Sequence, residues 1–413
     1  MRSYKKKRSK DPCPIQDACR ICPYVNQDYD SSLSEKSQKE LALLKKAGLL
    51  ESAKVDRSVP SPRKLGFRTV FKLAVRRNPE KQSGGRFRLG LFDPGTHRIG
   101  PELTPCPLHQ SVLRKLLKEI HVVLNESSLE PYSESDQTGD IRYVIARTNQ
   151  TGDQLMVTWV VTRPLQREIL DLTEKLKQRE ITIDVSAMNI NSDPGNSIWG
   201  EETVLLSQEK FIYEKMMGLS FCLGPTSFFQ VNPWQAENIY LRIEQMARRL
   251  EKKNCAWDLF SGVGPIACVL GRLFKKTVSL EENSESTLFT QKNAKLNDLE
   301  NKVEVLTGLV EKRLGDFPEE FQNPDLIVAN PSRRGIHQQA RDLIVSALKS
   351  QPGSEFIYLS CDIDSLKRDL SYFKSAGIAL VELQGFDMHA QSSQMEWLGR
   401  LKCFDRGNGN VLF

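Results

Sequence analysis

Long apolar runs are missing from this sequence. Nowhere in its 413 residues is there a stretch approaching the roughly 20 consecutive apolar residues that a membrane-spanning helix needs. The N-terminus, MRSYKKKRSK, also lacks the apolar segment of a secretory signal peptide. We therefore expect a cytoplasmic protein with no membrane partner, and we expect it to be a monomer. The length predicts two or three globular domains, each with its own core.

Acidic residues are absent from the first ten positions, which contain six Lys and Arg. The whole chain has 58 Lys+Arg and 52 Asp+Glu, so the other 403 residues carry 52 of each sign and the tail accounts for the net charge of +6. A second basic cluster, Arg63–Arg88, contains nine Lys/Arg and one acid, interleaved with Phe67, Phe71 and Phe87. Both clusters favour a partner that bears phosphate groups. The alternative is a solvated basic surface around core phenylalanines.

Nine cysteines are an odd number in a long chain without an export signal, which argues against a disulfide framework. Cys13, Cys19 and Cys22 lie within ten residues of one another, and Cys106 follows 84 positions later in TPCPLH. Three thiolates on one short loop, with a distant fourth, can complete a tetrahedral site for zinc or a [4Fe–4S] cluster. Scattered buried cysteines are the alternative interpretation.

The first half predicts helices over residues 33–50, 108–126 and 165–179, with β-rich segments over 65–90 and in YVIARTN and QLMVTWVVT. No internal repeat is evident. We divide the chain into an N-terminal segment, 1–110, with the basic tail, the cysteine loop and β-rich sequence. A central α+β domain that binds RNA, 111–233, and a catalytic domain, 234–413, complete this division.

The second half alternates helical stretches with short apolar segments. A helix over 234–252 is followed by CAWDLF, VLGRLF, TVSLEE, KVEVL, DLIVAN and EFIYLS. This alternation predicts an α/β fold with a doubly wound, Rossmann-like parallel sheet. Ligands of such sheets bind at the carboxyl ends of the strands.

The turn after CAWDLF contains Gly262 and Gly264, which permit close approach of the backbone to a ligand. Glu281 ends the strand about 20 residues on, where an acid can accept both ribose hydroxyls of an adenosine cofactor. The pattern is DxFxGxG and lacks the third glycine of GxGxxG. It therefore favours S-adenosylmethionine over a dinucleotide.

Cys361 follows the strand EFIYLS and is a candidate nucleophile at the cofactor edge. Two arginines after DLIVAN, together with Lys367 and Arg368, are expected to lower the pKa of this thiol. A small apolar residue that caps the strand is the alternative. Upstream, SFFQVNPWQAE offers aromatic and amide side chains just before the sheet begins.

Six ordered motifs resemble the RNA uracil-C5 methyltransferases, which make 5-methyluridine. They are FFQVNPWQAE, WDLFSGVG, the strand ending in Glu281, ANPSRRGI, IYLSCD and GFDMHAQSSQMEWL, and they span nearly the whole chain. The resemblance is closest to the iron–sulfur members that modify 23S ribosomal RNA, of the RlmC-like type, because CPIQDACRIC and CPLH match the cluster ligands.

The resemblance implies a role for each matched residue. Cys361 is the nucleophile, Glu396 is the base, and Asn330 lies in the crevice between cofactor and uracil. S-adenosylmethionine is expected to contact Gln230, Phe260 and Glu281, beside Gly262 and Gly264. The [4Fe–4S] cluster is expected to be bound by Cys13, Cys19, Cys22 and Cys106. The implied partner is RNA, and 23S ribosomal RNA in particular.

The chain departs from the family pattern at Ser261, Ser332, Asp362, Gln391 and Gln394, where the family usually has Cys, Pro, Asn, His and His. An acid beside the nucleophile opposes thiolate formation, so substrate or rate is expected to differ. Two other functions stay open. One is an amino-methyltransferase acting on adenine through the Asn-Pro at a strand end. The other is a catalytically silent relative that binds RNA or senses redox state.

Overall fold

The structure, a computed structural model, describes residues 13–79, 85–93, 96, 98–195 and 197–403. The basic tail over residues 2–10 lies outside the described residues, so its predicted contact with phosphate groups stays a prediction. None of the described helices is long and apolar enough to cross a membrane.

Sixteen strands occur in this part of the chain, namely β1 Lys54–Val59, β2 Val70–Arg77, β3 Phe87–Gly90, β4 Ile141–Thr148, β5 Leu155–Val161, β6 Val185–Ile190, β7 Glu202–Leu205, β8 Ile212–Met216, β9 Leu219–Leu223, β10 Cys255–Leu259, β11 Lys276–Glu281, β12 Val303–Thr307, β13 Leu326–Ala329, β14 Glu355–Ser360, β15 Ile378–Phe386 and β16 Glu396–Cys403. The α-helices are α1 Gln16–Cys19, α2 Tyr29–Lys46, α3 Ser111–Asn125, α4 Gln166–Gln178, α5 Pro233–Arg248, α6 Pro265–Gly271, α7 Ser284–Leu296, α8 Val310–Arg313, α9 Gln338–Ser350 and α10 Ile363–Ser375.

The chain divides into two compact units. Unit 1 comprises Met1–Tyr29, Arg63–Ile212 and Gln391–Ser393, and unit 2 comprises Asp30–Pro62, Tyr213–Ala390 and Gln394–Phe413. The sequence-based division at residues 110 and 233 stays a prediction.

Unit 2 contains an eight-stranded sheet in the order β1-β15-β16-β14-β13-β10-β11-β12. Strands β10, β13 and β14 are buried at every position, as expected for parallel strands covered by helices on both faces. The predicted α/β fold is thus confirmed, with two corrections. The sheet is mixed, because β16 runs antiparallel to both of its neighbours. The segment VLGRLF, predicted as a strand, lies in α6 and the turn after it.

The antiparallel strand follows from the connection before it. Only residues 387–395 separate β15 from β16, too few for the helical crossover that a parallel neighbour requires. The N-terminal α2 and β1 also belong to this unit, since β1 pairs in parallel with β15. Leu44 of α2 packs in the same core as Trp257, Phe356 and Trp397.

Unit 1 contains a six-stranded sheet in the order β3-β2-β4-β5-β6-β7. The apolar stripes of α3 and α4 pack with this sheet in one core, around the fully buried Trp159. The two helices match the predicted segments 108–126 and 165–179 to within a few residues. Unit 1 therefore has the expected α+β character.

The basic cluster Arg63–Arg88 is only partly a charged surface. Its phenylalanines, Phe67, Phe71 and Phe87, are buried in the core. Arg76 is buried beside Glu134 and packs over aromatic rings, and the two flanking basic residues Arg77 and Arg86 both pair with Glu130. Several of the nine basic side chains therefore already have partners within the protein. The phenylalanines of this segment are thus core residues, and contact of its remaining basic side chains with phosphate groups stays a prediction.

Candidate active site

Three of the predicted site residues form one row at the carboxyl edge of the sheet in unit 2. In the parallel register, Leu259 of β10 pairs with Leu280 of β11 and with Ala329 of β13. The residues that follow are Phe260, Glu281 and Asn330, so the same register aligns them across three neighbouring strands. The backbone N–H of Asn330 donates to the Leu259 carbonyl at 3.3 Å, which continues the ladder beyond the strand.

The glycine turn after β10 adopts a conformation that its two glycines permit. Gly262 and Gly264 have φ angles of +57° and +82°. A Cβ at Gly264 would lie 2.5 Å from Thr290 Cγ2, whereas a Cβ at Gly262 would have no neighbour within 4 Å. Gly264 is thus needed for packing against α7. Gly262 leaves open space at the edge where a ligand is expected.

Helix α7 holds this turn through two carbonyl groups. Thr290 Oγ1 donates to the Gly262 carbonyl at 3.0 Å, and Asn293 Nδ2 donates to the Val263 carbonyl at 2.9 Å. Asn293 also accepts the N–H of Cys222 at 2.8 Å. The same buried amide therefore connects the turn to β9, the strand that leads to Gln230.

Glu281 is oriented by the backbone. One carboxylate oxygen accepts the N–H of Gly262 at 3.0 Å, and the other accepts the N–H of Asn283, also at 3.0 Å. A carboxylate has about four acceptor sites, so each oxygen keeps one for a further donor. The pair of ribose hydroxyls predicted as its ligand fits this capacity.

The two phenylalanines in the segment before α5 differ in their exposure to solvent. Phe229 is buried, with its ring 5.9 Å from that of Phe221, while Phe228 is 59% exposed. Of these two aromatic side chains, only Phe228 is accessible for stacking on a base. Gln230 is half-buried at the end of the same segment.

Cys361 and Glu396 are brought together by the antiparallel pairing of β14 with β16. Ser360 pairs with Trp397, so one further step in this register puts Cys361 opposite Glu396. Cys361 is half-buried, and Glu396 is 5% exposed at the first position of β16. A thiol and a carboxyl group therefore face one another at the edge that also contains Asn330.

Burial dominates the electrostatics of this pair. It raises the pKa of Glu396 to about 8, against the charge of Arg333, which lowers that pKa. Burial also raises the pKa of the Cys361 thiol to about 11, the nearby Glu396 raises it further, and Arg333 lowers it. The effect of Asp362 on the thiol is small by comparison. Asp362 instead caps α10, where its carboxylate accepts the N–H of Ser365 at 2.9 Å.

The predicted lowering of the Cys361 pKa by nearby basic residues is wrong, because burial raises this pKa and, of the expected side chains, only Arg333 opposes the rise. The guanidinium of Arg368 bonds to the fully buried Asp369 at 2.9 Å and to the carbonyl of Arg334 at 2.8 Å. Asp369 also accepts from Tyr358, at 2.7 Å, and from the N–H of Ile336, at 2.9 Å. Arg368 thus fixes the loop that presents Arg333. Lys367, the other basic residue expected here, pairs with Asp364.

The raised thiol pKa makes a direct prediction for chemical labelling. Cys361 is expected to react slowly with iodoacetamide near neutral pH, and its rate should rise about tenfold per pH unit below the pKa, as the thiolate fraction does. Arg333→Gln should slow the reaction further, because it removes the charge that lowers this pKa. Mass spectrometry of the Cys361 peptide measures the rate. Arg334→Gln is the matched control, and equal rates for both variants would contradict the assignment of Arg333.

The four predicted metal ligands line one cavity in unit 1. Cys13, Cys19, Cys22 and Cys106 all contribute to its lining. The single helical turn α1 carries Cys19, and the left-handed residue Arg20 then redirects the chain towards Cys22. Burial raises the pKa of the Cys22 thiol, and the other three cysteines raise it further. In the described part of the chain, no group of three or more Cys, His, Asp or Glu is arranged to hold a single metal ion.

Comparison with solved structures identifies the architecture. The structure of a Pyrococcus abyssi tRNA (uracil-54, C5)-methyltransferase in complex with S-adenosyl-L-homocysteine is similar, with a TM-score of 0.73 and 20% sequence identity. The similarity covers 93% of this chain and 86% of that chain. This chain has a methyltransferase fold.

Sequence matches to related proteins cover nearly the whole length of this methyltransferase-fold chain. The chain is 27% identical over 397 residues to a protein of Synechocystis, covering 96% of this chain and 83% of that protein. It is 28% identical over 397 residues to one of Caldanaerobacter subterraneus, covering 95% and 85%. Both are named uncharacterized RNA methyltransferases. These names agree with the enzyme class, RNA methyltransferase, that the sequence predicts.

A family model described as RNA cap guanine-N2 methyltransferase matches residues 253–352. The matched segment runs from β10 to just beyond α9. It contains the glycine turn and Glu281, and it ends before Cys361. Its similarity therefore concerns the half of the methyltransferase sheet that is expected to bind the cofactor.

Two side chains near Glu396 escaped the sequence analysis. Glu40 of α2 raises the pKa of Glu396. Tyr240 of α5 is buried and close enough to Glu396 that the carboxylate raises the pKa of the tyrosine. Neither lies in a motif. Their neighbour in the fold is more than 150 positions away in the sequence, so no local pattern signals the contact.

Proposed function

We propose that this protein transfers a methyl group from S-adenosylmethionine to C5 of a uracil in RNA. The observation that carries the proposal is the β14–β16 register, which puts Cys361 opposite Glu396 at the sheet edge where β13 ends before Asn330. A thiol nucleophile and a separate proton acceptor are the two groups that this reaction needs. The RNA methyltransferase names of the relatives and the fold similarity to a uracil-C5 methyltransferase support it.

The first step is covalent activation of the base. The Cys361 thiolate attacks C6, so a sulfur–carbon bond forms and the C5=C6 electron pair moves onto C5 and the adjacent carbonyl. C5 thereby becomes nucleophilic. S-adenosylmethionine supplies an electrophilic methyl group when bound. Phe228, the exposed aromatic residue before α5, is available to stack a nucleotide that has been turned out of its helix.

The second step restores the ring. C5 then bears both the methyl group and a hydrogen, and the Glu396 carboxylate removes this proton. The electrons of the C5–H bond reform C5=C6, and the thiolate of Cys361 leaves. A pKa of about 8 suits Glu396 to this step, because a base with a pKa near the working pH is the most effective.

The cofactor crevice suits an adenosine cofactor. Glu281 keeps free acceptor sites for ribose hydroxyls, and the open space at Gly262 allows close approach to the backbone. Gln230, Phe260, Gly264 and Asn330 complete the proposed binding residues.

We also propose that the cysteines Cys13, Cys19, Cys22 and Cys106 bind a [4Fe–4S] cluster. This proposal is supported by the common cavity that the four cysteines line and by the absence of disulfides between them. With the family resemblance of CPIQDACRIC, they make 23S ribosomal RNA the proposed substrate. The raised thiol pKa values imply that cluster binding releases protons and weakens as the pH falls.

The proposal is tested by mapping 5-methyluridine in ribosomal RNA from cells with and without the gene. We expect one uridine of 23S ribosomal RNA to lose its methyl group when the gene is deleted. Purified protein and labelled S-adenosylmethionine should then restore label at C5 of that uridine in RNA from the deleted strain.

Other outcomes would redirect the assignment. Label on an exocyclic amine of adenine or guanine would overturn the uracil mechanism and favour an amino-methyltransferase. Label at C5 of uridine in another RNA would retain the chemistry and reject 23S ribosomal RNA. Absence of label from every uridine-containing RNA would favour a binding protein.

A further inference from the structure

Helix α2 contacts the strand pair that carries Glu396 at two points. Lys36 Nζ donates to Asp387 Oδ1 at 2.6 Å, and both side chains are at most 3% exposed. One turn further along, Glu40 Oε2 accepts the indole N–H of Trp397 at 2.5 Å. Residues four apart lie on the same face of a helix, so a single face of α2 makes both contacts.

These two contacts flank the last residue pair of the β15–β16 ladder. Phe386 of β15 pairs with Glu396 of β16. Asp387 follows Phe386 in the sequence, and Trp397 follows Glu396. Lys36 and Glu40 therefore hold both strands immediately beside Glu396. A carboxyl group at the end of a ladder is free to fray with its strand unless neighbouring residues are fixed.

Helix α2 is itself firmly placed in unit 2. Ser37, between the two contact residues, shares a hydrogen bond of 2.6 Å with Ser58 of β1. Leu44 is fully buried in the core of the unit. The close packing continues at Gly385, where a Cβ would lie 2.7 Å from Ser58 Oγ and 3.1 Å from the Trp397 ring.

The charges around the two carboxyl groups come from several elements. Glu396 is faced by Arg333 after β13, by Cys361 after β14, by Tyr240 of α5 and by Glu40. Burial raises the pKa of Glu40 to about 7, and this side chain is faced by Lys36 and Lys39 of its own helix, by Trp397 and by Asp362. The two carboxyl groups are therefore coupled, and a negative charge on Glu40 raises the pKa of Glu396.

We propose that Lys36 and Glu40 are positioning residues for Glu396, and that the negative charge of Glu40 keeps Glu396 a strong proton acceptor. This inference rests on the proposed function, in which Glu396 removes the proton from C5. Neither residue touches the substrate in this scheme. Lys36 and Glu40 act on the geometry and the basicity of the group that does.

The two effects of Glu40 are separable by substitution. Glu40→Gln keeps an oxygen that can accept the indole N–H and removes the charge. Trp397→Phe removes the hydrogen bond and keeps the carboxyl group, whose pKa then rises because that bond lowers it. Glu35→Gln removes the same charge from an exposed position of the same helix and is the matched control.

The kinetic test follows decay of the covalent RNA adduct as a function of pH. Glu40→Gln should move the midpoint of the decay profile to lower pH and reduce the limiting rate about tenfold, because Glu396 becomes a weaker base. Trp397→Phe should reduce the rate by a similar or larger factor, since misplacement costs rate. Glu35→Gln should match the wild type. A midpoint in Glu40→Gln equal to that of the wild type would overturn the electrostatic role.

A second measurement does not depend on activity. The indole N–H resonance of Trp397, identified by its loss in Trp397→Phe, should shift in two steps with pH, one for Glu40 and one for Glu396. Glu40→Gln should remove one step and lower the midpoint of the step that remains. A resonance that does not respond to pH would overturn the inference even if the wild type makes 5-methyluridine. A two-step response in a protein that methylates no uridine would reject the proposed function and retain the coupling of Glu40 with Glu396.

Discussion

Glu396→Gln protein is expected to accumulate as a covalent adduct with RNA. Attack by Cys361 and methyl transfer precede proton removal, so a neutral amide at position 396 leaves these steps intact and blocks elimination. With labelled S-adenosylmethionine, a denaturing gel should show label on a slowly migrating protein–RNA band. Turnover should fall by a factor of the order of 10² to 10⁴, the usual contribution of a general base.

Cys361→Ala provides the contrasting result. Without a thiolate, this variant should bind RNA and cofactor and form neither the adduct nor 5-methyluridine. Cys403→Ala, a half-buried cysteine on β16, is the control for loss of a thiol from the same sheet. Methylation by Cys361→Ala at the wild-type rate would reject the nucleophile and return an amine-directed mechanism.

Cys106→Ser is expected to abolish iron binding. The wild-type protein, purified without oxygen, should be brown with a broad absorbance at about 400 nm, because four thiolates suit iron–sulfur chemistry. Cys106 is the only one of the four ligands that comes from outside the loop of residues 13–22, and the other three cannot complete the site. Iron and sulfide analysis should therefore show nearly complete loss, while the methyltransferase sheet of unit 2 stays folded.

Cys222→Ser is the matched control, since Cys222 is a buried cysteine of unit 2 that lines no part of the cavity. It should retain the full iron content. Colourless wild-type protein with one bound zinc would reject the cluster, and retention of all metal by Cys106→Ser would reject Cys106 as a ligand.

The strand ends were predictable because their signals are local. An apolar strand followed by a glycine turn or by Glu281 can be read from a few consecutive residues. The parallel register then aligns Glu281, Phe260 and Asn330 without further information. The pairing of Cys361 with Glu396 depended on the family resemblance, because nothing in the residues around either one shows that β16 lies beside β14.

Interactions between distant residues were not predictable. The sequence interpretation gave Arg368 a role at the nucleophile, yet the buried Asp369 next to it in the sequence is its stronger partner. Likewise α2 reads only as an amphipathic helix, and its contacts with Asp387 and Trp397 are more than 350 positions away. Such pairs are decided by which surfaces the core brings together, and the local pattern contains no record of them.

Strand β16 runs antiparallel to both of its neighbours, β14 and β15, and this pairing limits where the sequence can gain or lose residues. Successive side chains of a strand point to opposite faces, so one inserted residue within β16 would turn Glu396 away from Cys361 and expose the apolar set led by Trp397. Residues 388–395 precede the strand and lie outside the ladder, although Met388, Ala390 and Met395 are buried. A change in their number therefore leaves the register of β16 unaltered, whereas an insertion a few residues later shifts it. Libraries intended to alter substrate choice should vary the connection and keep β16 at constant length.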